Sequence, residues 1–155
     1  MRGVLIFAIV GLAIPVRPDR HAHPVPPPAP TTQIQGRWQL VQYQLNGKSM
    51  PQTTIDNLSI TIEGSELHIE SKSAKKITAT YAFQFDPSKT PAAFDFTSKT
   101  APSAVKFSGI LKVEGDLMTF TFTRGDGAER PKQFDVPADF RGYLWQMRRM
   151  PDTSR

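Results

Sequence analysis

From Gln33 to Arg149, apolar and polar residues alternate in short runs separated by turn-forming residues. The runs are RWQLVQYQL, LSITIEG, SELHIES, KKITATYAFQFD, AAFDFTS, AVKFSGILKVEGD, LMTFTFTRGDG and RGYLWQMRR. A period of two turns one set of side chains toward a core and the other toward solvent, so each run predicts a strand. Asn46-Gly47, Gly64-Ser65 and Gly115-Asp116 are tight turn signals, because glycine and asparagine accept the positive φ that hairpins need. TTIDN, residues 53–57, has room for one helical turn and falls where a short lid could sit. No helix-length pattern separates the strands, so successive ones pair antiparallel. Eight such strands lose their exposed edges by closing, and the predicted fold is all-β, an eight-stranded antiparallel up-and-down barrel. A two-sheet sandwich is the alternative.

Alternation also sorts the side chains. In the first strand Trp38, Leu40 and Gln42 share one side, opposite Gln39, Val41 and Tyr43. In the fourth, Tyr81, Phe83 and Phe85 share a face with Ile77 and Ala79. Leu58, Ile69, Leu111, Phe122, Trp145 and Met147 are among the other residues expected to point in, while His68, Asp95, Thr119 and Thr121 point out. The interior of an eight-stranded barrel is either just filled by side chains or holds one small ligand. Each buried phenylalanine contributes roughly 1.5–3 kcal/mol, so a filled interior is stable without a ligand. In the hollow case an apolar pocket lies at the open end, and its candidate ligand-binding walls are Phe83, Phe94, Phe96, Phe107, Phe120 and Tyr143.

Before the alternating region the texture is different. Arg2 precedes an apolar run from Gly3 to Val16, the pattern of an export signal, and residues 1–14 are assigned as a signal peptide or signal anchor. The run is short of the ~20 residues that span a bilayer as a helix. No cysteine follows it, which excludes a lipid-anchored form. Residues 15–32 hold seven of the 14 prolines and predict a disordered, extended linker. The barrel domain is then 33–150 and the tail 151–155. The expected location is the periplasm or the extracellular space, with a membrane tether if the signal stays uncleaved.

Gly36-Arg37-Trp38, at the head of the first strand, resembles the glycine-x-tryptophan signature of lipocalins and their relatives. The resemblance implies a lipocalin-like barrel with Trp38 packed at the closed end and an arginine from near the chain terminus over its ring. Arg148 or Arg149 fills that role, and with Gly36 and Trp38 they form the expected structural floor. A guanidinium over an indole contributes roughly 0.5–2 kcal/mol. The stretches IQGRWQLVQYQLNGKSMP, FDPSKTPAAFDFT, GILKVEGDLMTFTF and RPKQFD are similar to a small planctomycete lipocalin-like domain family of unknown function. That likeness covers essentially the whole domain, fits export and implies no established activity.

Charge and reactive residues narrow the function further. The net charge is +5, of which +2 lies before residue 36. The domain's remaining excess is dispersed among acidic residues, so no nucleic-acid partner is expected. Cysteine is absent, which removes disulfides and thiolate chemistry. His68 is the domain's one histidine and is expected outside, poor material for a triad. His21 and His23 are two ligands where a metal site needs three or four. Arg124-Gly125-Asp126 matches an adhesive tripeptide but reads as a flexible hairpin loop. No metal, no cofactor and no catalytic residue is expected, and the protein is read as not an enzyme. The leading expectation is an exported barrel that binds a small apolar or amphipathic ligand. The alternative is a cell-envelope structural or protein-interaction module with a filled barrel, acting through DPSKTP, KTAPS and RGDGAERPKQ.

Overall fold

The computed structural model describes residues 30–151. Two short helices and nine strands follow in the order α1 (Pro30–Ile34), β1 (Gly36–Leu45), β2 (Lys48–Ser49), α2 (Gln52–Asn57), β3 (Leu58–Glu63), β4 (Glu66–Ser71), β5 (Lys76–Asp86), β6 (Ala92–Ser98), β7 (Lys106–Glu114), β8 (Leu117–Arg124) and β9 (Tyr143–Arg149). β1 and β3–β9 are the eight expected strands. The two-residue β2 arises where Asn46 and Gly47, both at positive φ, fold the chain back onto the end of β1. TTIDN forms most of α2. The signal segment, the linker with His21 and His23 and residues 152–155 lie outside the described residues, except that α1 begins within the proline-rich stretch.

Each strand pairs antiparallel with its neighbours, and β1 also pairs with β9 from Trp38 to Leu45. That last ladder closes the sheet. The result is an eight-stranded antiparallel barrel compatible with a lipocalin-like fold, and not the two-sheet sandwich. β1 pairs with β3 only from Gly36 to Gln39. Beyond that point α2 packs beside both strands, with Ile55 buried and the Gln39 amide donating to the carbonyls of Ile55, Leu58 and Leu40.

Two bulges redirect side chains that simple alternation assigns. Between Leu40↔Met147 and Gln42↔Gln146 the β1–β9 register slips by one residue, leaving Val41 unpaired. An extra residue inverts the facing of everything beyond it. Gln42, expected inside, therefore faces out, and Tyr43, expected outside, turns into the barrel opposite Trp145. A second slip between Ile69↔Ala79 and Glu70↔Ile77 leaves Thr78 over and puts Ile77 on the outside, 56% exposed, rather than on the face of Tyr81 and Phe83.

The segment between β8 and β9, residues 125–142, is not a set of open-end loops alone. It crosses the outer wall as a strap. Arg130 donates to the Gly109 carbonyl and pairs with Asp95, both at 2.7 Å, and Phe134 lies against the Lys112 ammonium at 5.1 Å. Thr119 and Thr121 do point outward, yet they are buried, as are Ala93, Ile110 and Leu144 beside them.

Gly109 sits on the inward face between Phe94 and Phe122. A Cβ there would lie 2.7 Å from the Phe122 Cβ and the Thr121 carbonyl and 2.8 Å from the Phe120 ring. Overpacking of this kind costs about 1–3 kcal/mol. Gly109→Ala is therefore expected to lower the urea midpoint with little change in slope. An unchanged midpoint would show that the ring layer has slack.

Candidate ligand pocket and barrel floor

The floor is built from the first and last described elements. α1 ends with carbonyls that no intrahelical donor reaches. The Trp38 indole donates to the Ile34 carbonyl at 3.0 Å, and the Arg149 guanidinium donates to the carbonyls of Gln35, at 2.7 Å, and Gln33. The same guanidinium lies 4.2 Å from the Trp38 ring centroid. Of the two arginines expected here, Arg149 takes the role; Arg148 lies on the opposite face of β9, exposed, because neighbouring strand residues point to opposite sides. Gly36 has φ +113, and a Cβ on it would come within 3.2 Å of the Arg149 guanidinium. The glycine thus leaves the space the guanidinium uses. Trp38 and Ile34 are completely buried.

Above the floor the closed half is packed solid. Phe94 stacks on Phe83 at 4.7 Å and meets Phe120 edge-on at 4.8 Å, amid Leu40, Ile60, Met118 and Met147. Three expected pocket walls, Phe83, Phe94 and Phe120, therefore belong to the filled layer. They stand nearer the floor on the neighbouring strands β5, β6 and β8, where their rings meet across β7.

The open half is hollow, with a cavity of about 340 Å³. Phe96, Phe107 and Tyr143, the other three expected walls, line it. Phe96 stacks on its cross-strand partner Phe107 at 4.5 Å, and Phe122 on Tyr143 at 4.7 Å. Leu58, Ile69 and Trp145 add to the wall, and Ala101 and Val105 come from the connection between β6 and β7.

Tyr43, Tyr81 and Arg124, which bring a phenol or a charge to the lining, were not among the expected walls. Tyr43 arrives through the Val41 bulge, which the sequence does not announce. Tyr81 was readable, since it shares the face of Phe83. Arg124 was readable too. It continues the inward series Met118, Phe120, Phe122, and it escaped notice because it opens the Arg-Gly-Asp tripeptide. In the fold that tripeptide is divided. Arg124 ends β8 at the cavity mouth, while Asp126 pairs outside with Lys106 at 2.9 Å.

All three tyrosines of the chain, Tyr43, Tyr81 and Tyr143, line the cavity. Burial pushes the Tyr43 phenol above its ordinary value, reinforced by Tyr143 and Tyr81. Burial likewise raises Tyr81, helped by Tyr143 and opposed by Arg124. Like any phenol near pH 7, both are neutral and can donate a hydrogen bond. Arg124 is the one charged residue in the lining. The buried indole N–H of Trp145 has no hydrogen-bond partner among the described residues.

Outside the cavity, His68 sits on the outer wall, 3.1 Å from the Thr80 hydroxyl and 3.5 Å from Glu66. The described residues contain no group of three or more metal-ligating side chains. No protein-family model, curated protein or solved structure matches the chain.

Two outcomes follow. Arg149→Ala removes a cation–π contact and two charge-assisted hydrogen bonds, one of them solvent-facing, and is expected to cost about 1–3 kcal/mol. In a Trp145→Phe background, Trp38 emission should also move to the red; unchanged emission and stability would deny the floor its role. The second concerns pH. Because the folded Tyr43 and Tyr81 ionise above the unfolded value of 10.0, their share of stability is complete below that pH and lost as pH rises through the folded values. Tyr43→Phe/Tyr81→Phe should lose less stability than the parent between neutral and strongly alkaline pH in urea unfolding. Parallel curves would contradict the burial of these phenols.

Proposed function

We propose that the protein is an exported, non-enzymatic lipocalin-like barrel that holds a small apolar or amphipathic molecule in its open half. The observation that carries this reading is the aromatic-lined cavity of about 340 Å³ above a separately filled floor. Small-molecule pockets span ~300–1,000 Å³, so this one suits a compact ligand and not a long chain. A fold that needed only stability would gain from rings in that space, at roughly 1.5–3 kcal/mol each. Export rests on the apolar run behind Arg2. Kinship with the planctomycete lipocalin-like domain family is part of the same proposal. It is supported by the motif likeness and by the roles of Gly36, Trp38 and Arg149 at the floor.

A thermal-shift screen of the full chain against compact aromatic and short aliphatic compounds tests the reading. A ligand at a hundred times its dissociation constant stabilises by about 2.7 kcal/mol. Ala101→Trp, which places an indole at the cavity mouth, should abolish the shift without lowering the melting temperature of the free protein. If no compound shifts the parent, or the variant responds equally, the pocket is not the binding site and the cell-envelope interaction module takes its place.

A further inference from the structure

We propose that the open-half pocket selects a small aromatic carboxylate, with Arg124 receiving the carboxylate and the ring stack receiving the aromatic body. The inference rests on the pocket reading above and adds the chemistry of the ligand.

Charge decides the sign of the ligand. Arg124 stands on the inward register of β8 at the mouth, and no aspartate or glutamate shares the lining. Its nearest acidic neighbour along the chain, Asp126, is engaged outside by Lys106. Among the described residues Arg124 has no ion-pair partner within 4 Å, whereas Arg130 and Arg149 each face a carboxylate. A planar guanidinium without a carboxylate partner, beside an apolar cavity, matches the two oxygens of a carboxylate in a bidentate fork.

The surrounding polar groups point the same way. Tyr43, Tyr81 and Tyr143 put three phenols around one cavity, and phenols are ordinarily neutral near pH 7. A neutral phenol can donate to a carboxylate oxygen, and the Arg124 charge is already felt at Tyr81. A cationic ligand would find a guanidinium at the entrance and no counter-charge inside.

The walls decide the body. Two stacked pairs, Phe96 on Phe107 at an interplanar angle of 6° and Phe122 on Tyr143 at 5°, present flat rings, and Tyr81 meets both Phe96 and Phe107 edge-on. Planar ring systems gain from offset and edge contacts with such walls beyond simple burial. The limited volume favours one or two fused rings over an extended alkyl chain.

Calorimetric titration of the full chain with naphthoate, its neutral methyl ester and naphthylmethylammonium separates the possibilities. Naphthoate is expected to bind about tenfold or more tightly than the ester, the scale of one charge-assisted fork, and the ammonium compound not measurably. Arg124→Gln should bring naphthoate down to the affinity of the ester and leave the ester unchanged; Arg124→Lys, a point charge without the fork, should fall between. Equal binding of acid and ester, or indifference to Arg124→Gln, would overturn the carboxylate inference while leaving the pocket intact. Tighter binding of octanoate than naphthoate would overturn the aromatic half of it. Failure of every probe to bind the parent would overturn both this inference and the pocket reading.

Discussion

The β1–β9 ladder closes the barrel, and the floor at its end is held by one side chain placed between two ends of the fold. Arg149, the last residue of β9, lies over the Trp38 ring near the start of β1 and donates to the carbonyls of Gln33 in α1 and of Gln35 just beyond it. The guanidinium satisfies helix-end acceptors that water would otherwise have to reach, and it covers an indole that is fully buried. It does so at the place where the first and last barrel strands pair. With the floor sealed from below, the packed ring layer has a base. Gly36 is the geometric condition for this arrangement, since any side chain there would meet the guanidinium and adopt a strained backbone.

The interior divides into two layers with different physical roles. In the lower layer, rings from β5, β6 and β8 pack so closely across β7 that Gly109 is required for them to fit. In the upper layer, directly opposed cross-strand rings stack on each other, and an open volume remains between the walls. A rigid lower layer lets the upper one tolerate a cavity, because the stabilisation that holds the barrel together is concentrated below. Preorganised walls also reduce the entropy a bound ligand must overcome.

The outer wall has its own organisation. The strap from residue 125 to 142 turns part of a nominally solvated face into a second buried layer, latched by Arg130 on Asp95 and on the Gly109 carbonyl. Its latch reaches β7 at the same glycine whose inward side accommodates the rings. β6, β7 and β8 are thus covered on both faces near their middles, around Ala93, Ile110 and Thr121.

Alternation determined the eight strands and most inward residues, because a period of two is a local property of each run, and the short connections between runs set their antiparallel order. The β1–β9 ladder decided the closed barrel over the sandwich. The Gly36-x-Trp38 pattern likewise marked the floor, and a choice of two adjacent arginines was left for the fold to make. What the tertiary structure decided were matters set by distant partners. The slips at Val41 and Thr78 depend on what β9 and β4 offer across the ladder, so the inward turn of Tyr43 and the outward turn of Ile77 were not legible in their own strands. The burial of Thr119 and Thr121 depends on where an irregular segment comes to rest. Whether six aromatic residues on one face fill the lumen or leave it open depends on the height at which each strand delivers its ring. Phe83, Phe94 and Phe120 fell below that level, while Phe96, Phe107 and Tyr143 stood above it. Sequence carries the facing of a side chain; its height and its neighbours across the barrel exist only once the sheet has closed.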